Sequence, residues 1–307
     1  MSEASIPVDL FNPGQVFACL GFLEAADLLV GDAEGGFDWN DPTCARFKIR
    51  SRGNGDAVQL VLDFLAGSHV QSLAPPGSLH RTEKWNVHTQ LLKAGEPFPF
   101  LVPSSPATLP AVLTCPDSKH TGTVDRIVID YWGEQTDRTG RDNAKFWGGA
   151  GGYPGAALAR DAIANLKALD RSARADPFSF EAPQSSSFRL DWRRDYIPID
   201  AGFSLNSHSN TMTSVGFPLV EILAAIGLTH ARPKKIDRSE YVYSVLGHGA
   251  CPDQAFRHGL FAPVLVRASL GGAPLGLPCR RFRMFLGSPG EEGKDRCITS
   301  VIEETFL

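Results

Sequence analysis

Absences narrow this chain before any motif does. Its six cysteines (Cys19, Cys44, Cys115, Cys251, Cys279 and Cys297) are scattered, with no C-x-x-C pair. That leaves no zinc or thioredoxin-like spacing and predicts reduced thiols instead of a disulfide framework. No uninterrupted apolar run approaches the roughly 20 residues needed to cross a bilayer. The opening Met-Ser-Glu-Ala-Ser-Ile-Pro-Val-Asp-Leu has neither the basic nor the apolar region of a secretory leader, so a soluble cytoplasmic protein without membrane contact is expected. Nor is there an excess of positive charge: the formal net charge is −4 and the pI about 6.1. Any polyanion must therefore be held by a local basic face.

Catalytic patterns are equally scarce. No paired carboxylates at helical spacing suggest metal-assisted nuclease chemistry, and neither a metal nor a cofactor is expected. The glycine-rich loop Trp147 to Gly155 feeds a helix and could approach phosphate. It lacks the Lys-Ser or Lys-Thr of a P-loop, and Gly149-Ala150-Gly151 is only part of a dinucleotide fingerprint. Flanked by Lys145, Trp147 and Tyr153, it reads either as a flexible turn or as an RNA-contacting loop, since aromatic rings stack on unpaired bases.

What the sequence does contain is 307 residues, 43% hydrophobic and 21% charged, a globular composition with enough chain for a proper core. Its sharpest feature is Cys44-Ala45-Arg46-Phe47-Lys48-Ile49-Arg50-Ser51-Arg52. In a strand, side chains alternate faces. Arg46, Lys48, Arg50 and Arg52 would then form a row of cations roughly 7 Å apart, with Phe47 and Ile49 facing a core. The functional reading is contact with a nucleic-acid backbone. The alternative is a solvated edge strand guarded by charge.

Along the chain, Ile6–Leu10 suggests a first strand, and Asn12-Pro13-Gly14 starts a buried helix closed by Gly31. Phe37-Asp38-Trp39 suggests a short strand, and Asp56 caps an amphipathic helix. Residues 68–118, rich in Pro, Ser and Gly and containing Trp85, His88 and Lys93, read as a loop-rich insertion. Arg126–Trp132 is a buried strand, Pro154–Leu169 a helix, Phe188–Leu190 and Gly202–Asn206 short strands, and Phe217–Gly227 an apolar helix. The end reads as sheet, with strands at 240–246, 264–268, 281–286 and 297–303. Arg281 and Arg283 again alternate with Phe282 and Met284. The expected architecture is one α+β body over 1–307.

Three further clusters have bland and functional readings. Asp191-Trp192-Arg193-Arg194-Asp195-Tyr196 is an internal salt-bridge cluster or a ligand site. Ser207-His208-Ser209-Asn210 is a polar loop, or a hydrolase pair without a nucleophile elbow. His248, Cys251 and His258 are turn residues, or a nucleophile site of a cytoplasmic enzyme with no nameable substrate.

The opening Asn12-Pro13-Gly14-Gln15-Val16-Phe17-Ala18-Cys19-Leu20-Gly21-Phe22-Leu23 resembles subtype-specific CRISPR-associated proteins of the type I-G group, formerly called I-U. Lys145-Phe146-Trp147-Gly148-Gly149 and Gly202-Phe203-Ser204-Leu205 are similar to the same group. The resemblance implies a noncatalytic or accessory subunit of an antiviral, CRISPR RNA-guided effector complex, with CRISPR RNA and other effector subunits as partners. It also implies the RAMP superfamily, whose RRM- or ferredoxin-like β-α-β-β-α-β cores bind guide RNA. The glycine loop lies mid-chain here, whereas in that group it usually lies late. The expected contacts are Arg46, Lys48, Arg50 and Arg52 on phosphate, followed by Lys145, Trp147 and Arg193. A protein–protein scaffold capping an assembly through 68–118 is the alternative.

Overall fold

The computed structural model describes residues 3–41, 43–52, 55–98, 103, 105–116, 124, 126–133, 144–147, 153–169, 175–184, 186–193, 214–249, 259–287 and 296–304. The first half runs β1 Glu3–Pro7, α1 Pro13–Leu29, β2 Glu34–Asp38, β3 Arg46–Arg50, α2 Ala57–Gly67, β4 His69–Ala74, β5 Thr89–Leu91, β6 Ala111–Thr114 and β7 Arg126–Ile129. Then come α3 Gly155–Leu166, β8 Ala182–Gln184, β9 Ser214–Gly216, α4 Pro218–His230 and β10 Lys234–Lys235. The chain continues with β11 Glu240–His248, α5 Pro263–Leu270, β12 Cys279–Gly287 and β13 Cys297–Glu304. The fold is α+β.

Local chemistry sets the start of α1. The Asn12 side chain accepts from the Gly14 N–H at 3.1 Å, and Pro13 occupies the first turn, where a missing N–H costs nothing. The helix is apolar on nearly all sides and is buried from Pro13 to Ala26, as an all-round hydrophobic helix must be. Its partner is α4, buried from Pro218 to Leu228. The two cross at close range because each places a glycine at the contact. A Cβ on Gly21 would overlap the Leu223 carbonyl, and one on Gly227 would overlap that of Phe17. The amphipathic α2 starts at Asp56, whose carboxylate accepts from Val58 N and Gln59 N.

The main sheet follows the path β1-β3-β2-β11-β12-β13, with β10 also on β11. The β1–β3 and β3–β2 pairs are antiparallel, β2 runs parallel to β11, and β11–β12–β13 is antiparallel. A second sheet, β5-β4-β6-β7, takes its first three strands from residues 68–118, where the sequence suggested loops and short extended pieces. A β8–β9 pair completes the set.

Several expectations change. β3 is no edge strand: it lies between β1 and β2. Residues 264–268 are helical, not extended. Pro263 opens α5, and Val266, Ser269 and Leu270 are buried at three- and four-residue spacing, a helical period that a short β-branched run had masked. Phe188–Leu190 forms no strand because Arg189 adopts φ 62°, and Phe188 is buried as a core side chain instead. The loops at 148–152 and 202–206, Ser207–Asn210, Cys251 and His258 lie outside the described residues. No helix of the described residues is long and apolar enough to cross a membrane.

Candidate nucleic-acid interface

The register of β3 against its neighbours defines the face of the basic row. Phe47 and Ile49 are fully buried, while Arg46, Lys48 and Arg50 are half-buried on the opposite face. Opposed residues share a face. Ser5, Pro7 and Glu3 of β1 therefore flank the cations on one side, and Glu34, Gly36 and Asp38 of β2 on the other. Arg46 donates from Nε to Ser5 Oγ at 2.7 Å and from Nη2 to the Ser5 carbonyl at 2.8 Å. Lys48 Nζ lies 2.7 Å from Asp38 Oδ2, Arg50 pairs with Glu34, and Arg52, beyond the end of β3, pairs with Asp32. Partial burial alone would raise the Asp38 carboxyl. Hydrogen bonds from Lys48 and from the Asn40 backbone outweigh it and hold Asp38 below its usual value.

The same construction recurs in β12. Arg280 grips Glu303 with two bonds of 2.6 Å, and Arg281 and Arg283 meet Glu304, with Glu240 also on Arg283. Each basic strand is thus matched by acids on the neighbouring strand. The Arg280 hydrogen bonds hold the Glu303 carboxyl below its usual value against the opposing effect of burial.

At the Arg46 end of β3 lies a cavity of about 360 Å³. Its walls include Asp9, Phe11, Gln15, Thr43, Asp176, Arg193 and Arg280. A hydrogen-bonded chain fixes Arg193. The N-cap Asn12 donates from Nδ2 to Asp191 Oδ1 at 2.9 Å. Asp191 in turn receives Arg193 Nε at 3.1 Å and Nη2 at 2.7 Å. The guanidinium also lies 3.7 Å from the centroid of Phe217, immediately before α4. Glu221, buried in the first turn of α4, accepts from Leu190 N and Asp191 N at 3.1 Å each. The starts of both central helices therefore hold the segment that carries Arg193.

Lys145 and Trp147 sit elsewhere. Trp147 is buried against Tyr131, Trp132 and Phe188, so protein rings occupy the positions a stacked base would need. Lys145 lies 4.8 Å from the Trp147 ring centroid, and burial lowers the pKa of its ammonium. The structure brings Arg46, Lys48 and Arg50 onto one face, whereas Arg193 lines the cavity beyond the Arg46 end of β3, together with Phe11, Gln15 and Arg280. Sequence reasoning missed Arg280, Phe11, Asp9 and Gln15. Arg280 directly precedes the Arg281/Arg283 alternation but lies on the opposite face of the pleat, and nothing local ties it to Arg193.

Among the described residues no group of three or more His, Cys, Asp or Glu side chains is arranged to hold a metal. No protein-family model, curated protein or solved structure matches the chain.

Proposed function

We propose that this chain is a noncatalytic, RNA-contacting subunit of a CRISPR RNA-guided effector complex, touching the RNA backbone through the outward face of β3. The observation that carries the reading is the common orientation of Arg46, Lys48 and Arg50, continued past the strand by Arg52. Their acidic neighbours do not seal the row. Asp32 and Arg52 have 62% and 73% of their side chains exposed. That surface pair contributes about 0–1 kcal/mol, so a phosphate can displace Asp32 from Arg52, while Lys48 and Arg50, 31% and 29% exposed, keep an open side beside Asp38 and Glu34. In guide-dependent complexes base pairing supplies sequence specificity while protein reads backbone and shape, which suits a row with no base-reading code.

The resemblance of residues 12–23 and 145–149 to type I-G proteins supports the assignment to such a complex, with other effector subunits as neighbours in the cytoplasm. The order β1-α1-β2-β3-α2, with β3 between β1 and β2, supports an RRM/ferredoxin-like origin for this part. In the chain β4 then opens the second sheet and does not return beside β1. A scaffold role for 68–118 draws on Leu79 and Leu91, both exposed there.

The test is a titration of fluorescent single-stranded RNA across a salt series. Affinity should fall steeply with salt. It should be lost in the Lys48→Glu/Arg50→Glu protein and reduced in the milder Lys48→Gln/Arg50→Gln protein, with thermal melts confirming both folds. Unchanged binding by folded variants overturns the reading.

A further inference from the structure

The cavity beyond the end of β3 contains more than a phosphate row requires. Arg193 binds Asp191 through Nε and Nη2, and Nη2 also donates to the Phe178 carbonyl at 2.8 Å. Arg280 grips Glu303 through Nε and Nη2. In both, the third nitrogen, Nη1, has no hydrogen-bond partner among the described residues. Each guanidinium is therefore oriented by protein and still has donors to offer. Gln15 also lines the cavity and is only 5% exposed. Its Oε1 accepts from Asp9 N at 2.7 Å, while its amide nitrogen donates to nothing among the described residues.

The remaining wall supplies the complementary groups. Phe11 is 37% exposed, with its ring packed edge-on against Phe282 at a centroid distance of 5.2 Å. Arg280 lies 5.4 Å from the same Phe282 ring and 6.0 Å from Trp39. Asp9 and Asp176 add carboxylates, and Thr43 a hydroxyl. Donors for an anion, an aromatic ring and a mixed set of edge-reading groups thus share one cavity, whose size falls at the small end of the roughly 300–1,000 Å³ range of small-ligand sites.

We infer that this cavity takes one unpaired nucleotide. Its phosphate faces Arg193 and Arg280, its base lies against Phe11, and its hydrogen-bonding edge is within reach of Gln15 and Asp9. Single-stranded RNA is recognised in this way, with splayed bases on aromatic or guanidinium planes and polar groups on their edges. The inference deepens the RNA-contacting reading and rests on it for its biological setting: a strand tracking the β3 row would turn a terminal or flipped-out nucleotide into the cavity.

Saturation-transfer NMR with the full-length chain tests it, using the four nucleoside 5′-monophosphates and ribose 5-phosphate as separate probes. Base protons of at least one monophosphate should receive saturation from the protein, and ribose 5-phosphate should bind more weakly. The signal should fall at least about fivefold, the loss of one stacking contact, in Phe11→Leu, which keeps an apolar side chain against Phe282. It should fall likewise in Arg280→Gln, and persist in Lys48→Gln/Arg50→Gln. No transfer to any monophosphate, equal binding of ribose 5-phosphate, or insensitivity to both cavity variants overturns the site. Loss of the signal in the β3 variant would also overturn it, by moving the binding to the row. Failure of the backbone reading is seen separately, as long-RNA binding that survives the β3 substitutions while the mononucleotide signal stands.

Discussion

Asp38 stands opposite Arg46 in the β2–β3 register, yet its carboxylate is taken by Lys48, at 2.7 Å, from the next same-face position along the strand. Arg46 turns the other way, to Ser5 of β1. Gly36, directly opposite Lys48, presents no side chain that would separate the two. The basic row is therefore oriented by neighbours on both sides, and its charge is partly answered before any ligand arrives.

That answer is expected to tune polyanion affinity. Neutralising the acids in Glu34→Gln/Asp38→Asn should strengthen single-stranded RNA binding severalfold and steepen its salt dependence, because fewer fixed carboxylates compete with phosphate. Folding stability, read from urea midpoints, should fall somewhat, because the Lys48–Asp38 and Arg50–Glu34 pairs are half-buried and their charge-assisted hydrogen bonds are weakened. Unchanged or weakened RNA binding in the folded double variant would contradict this picture of the row.

His230, at the end of α4, should make stability sensitive to mild acid. Burial holds its pKa below the usual 6.5, outweighing the attraction of Glu24 and Asp27, while Arg267 pushes the same way as burial; Glu24 Oε2 lies 3.4 Å from Nδ1. The unfolded chain therefore takes up this proton at a higher pH than the native one. Stability should fall as pH drops below 6.5 and level off below the native pKa. His230→Gln should flatten that part of a stability–pH profile measured by urea unfolding. An identical slope in both proteins would assign the effect to other groups.

The α1–α4 crossing should tolerate no side chain at its glycines. Gly21→Ala drives a methyl group into the Leu223 carbonyl, and backbone cannot swing aside as a side-chain tip can. The gain in helix propensity, about 1 kcal/mol, is smaller than the overpacking cost of about 3 kcal/mol expected here. Gly31→Ala, where an added Cβ meets no atom but φ is +87°, should cost about 1 kcal/mol. Equal urea midpoints for the two variants would show that the helices can move apart.

The residues themselves specified much of the local structure. Asn12 with Pro13, Asp56, and the alternation of Arg46, Phe47, Lys48, Ile49 and Arg50 state a cap or a period within a few positions, and those elements form where the pattern puts them. Short apolar runs were ambiguous: Val264–Val266 has β-branched residues but lies in a helix, because Pro263 starts a turn whose buried positions recur at helical spacing.

Tertiary structure alone decided what the charges face. Glu34 and Asp38 meet the β3 row through strand pairing, and Glu240 and Glu304 meet Arg283 across 43 and 21 residues. The same holds for the cavity, where Asp9, Gln15, Arg193 and Arg280 come from segments separated by most of the chain. Periodicity is a property of neighbouring residues and survives in the sequence. Charge neutralisation and cavity lining depend on which strands pair and where two helix starts converge, and those long-range choices are fixed only when the whole core packs.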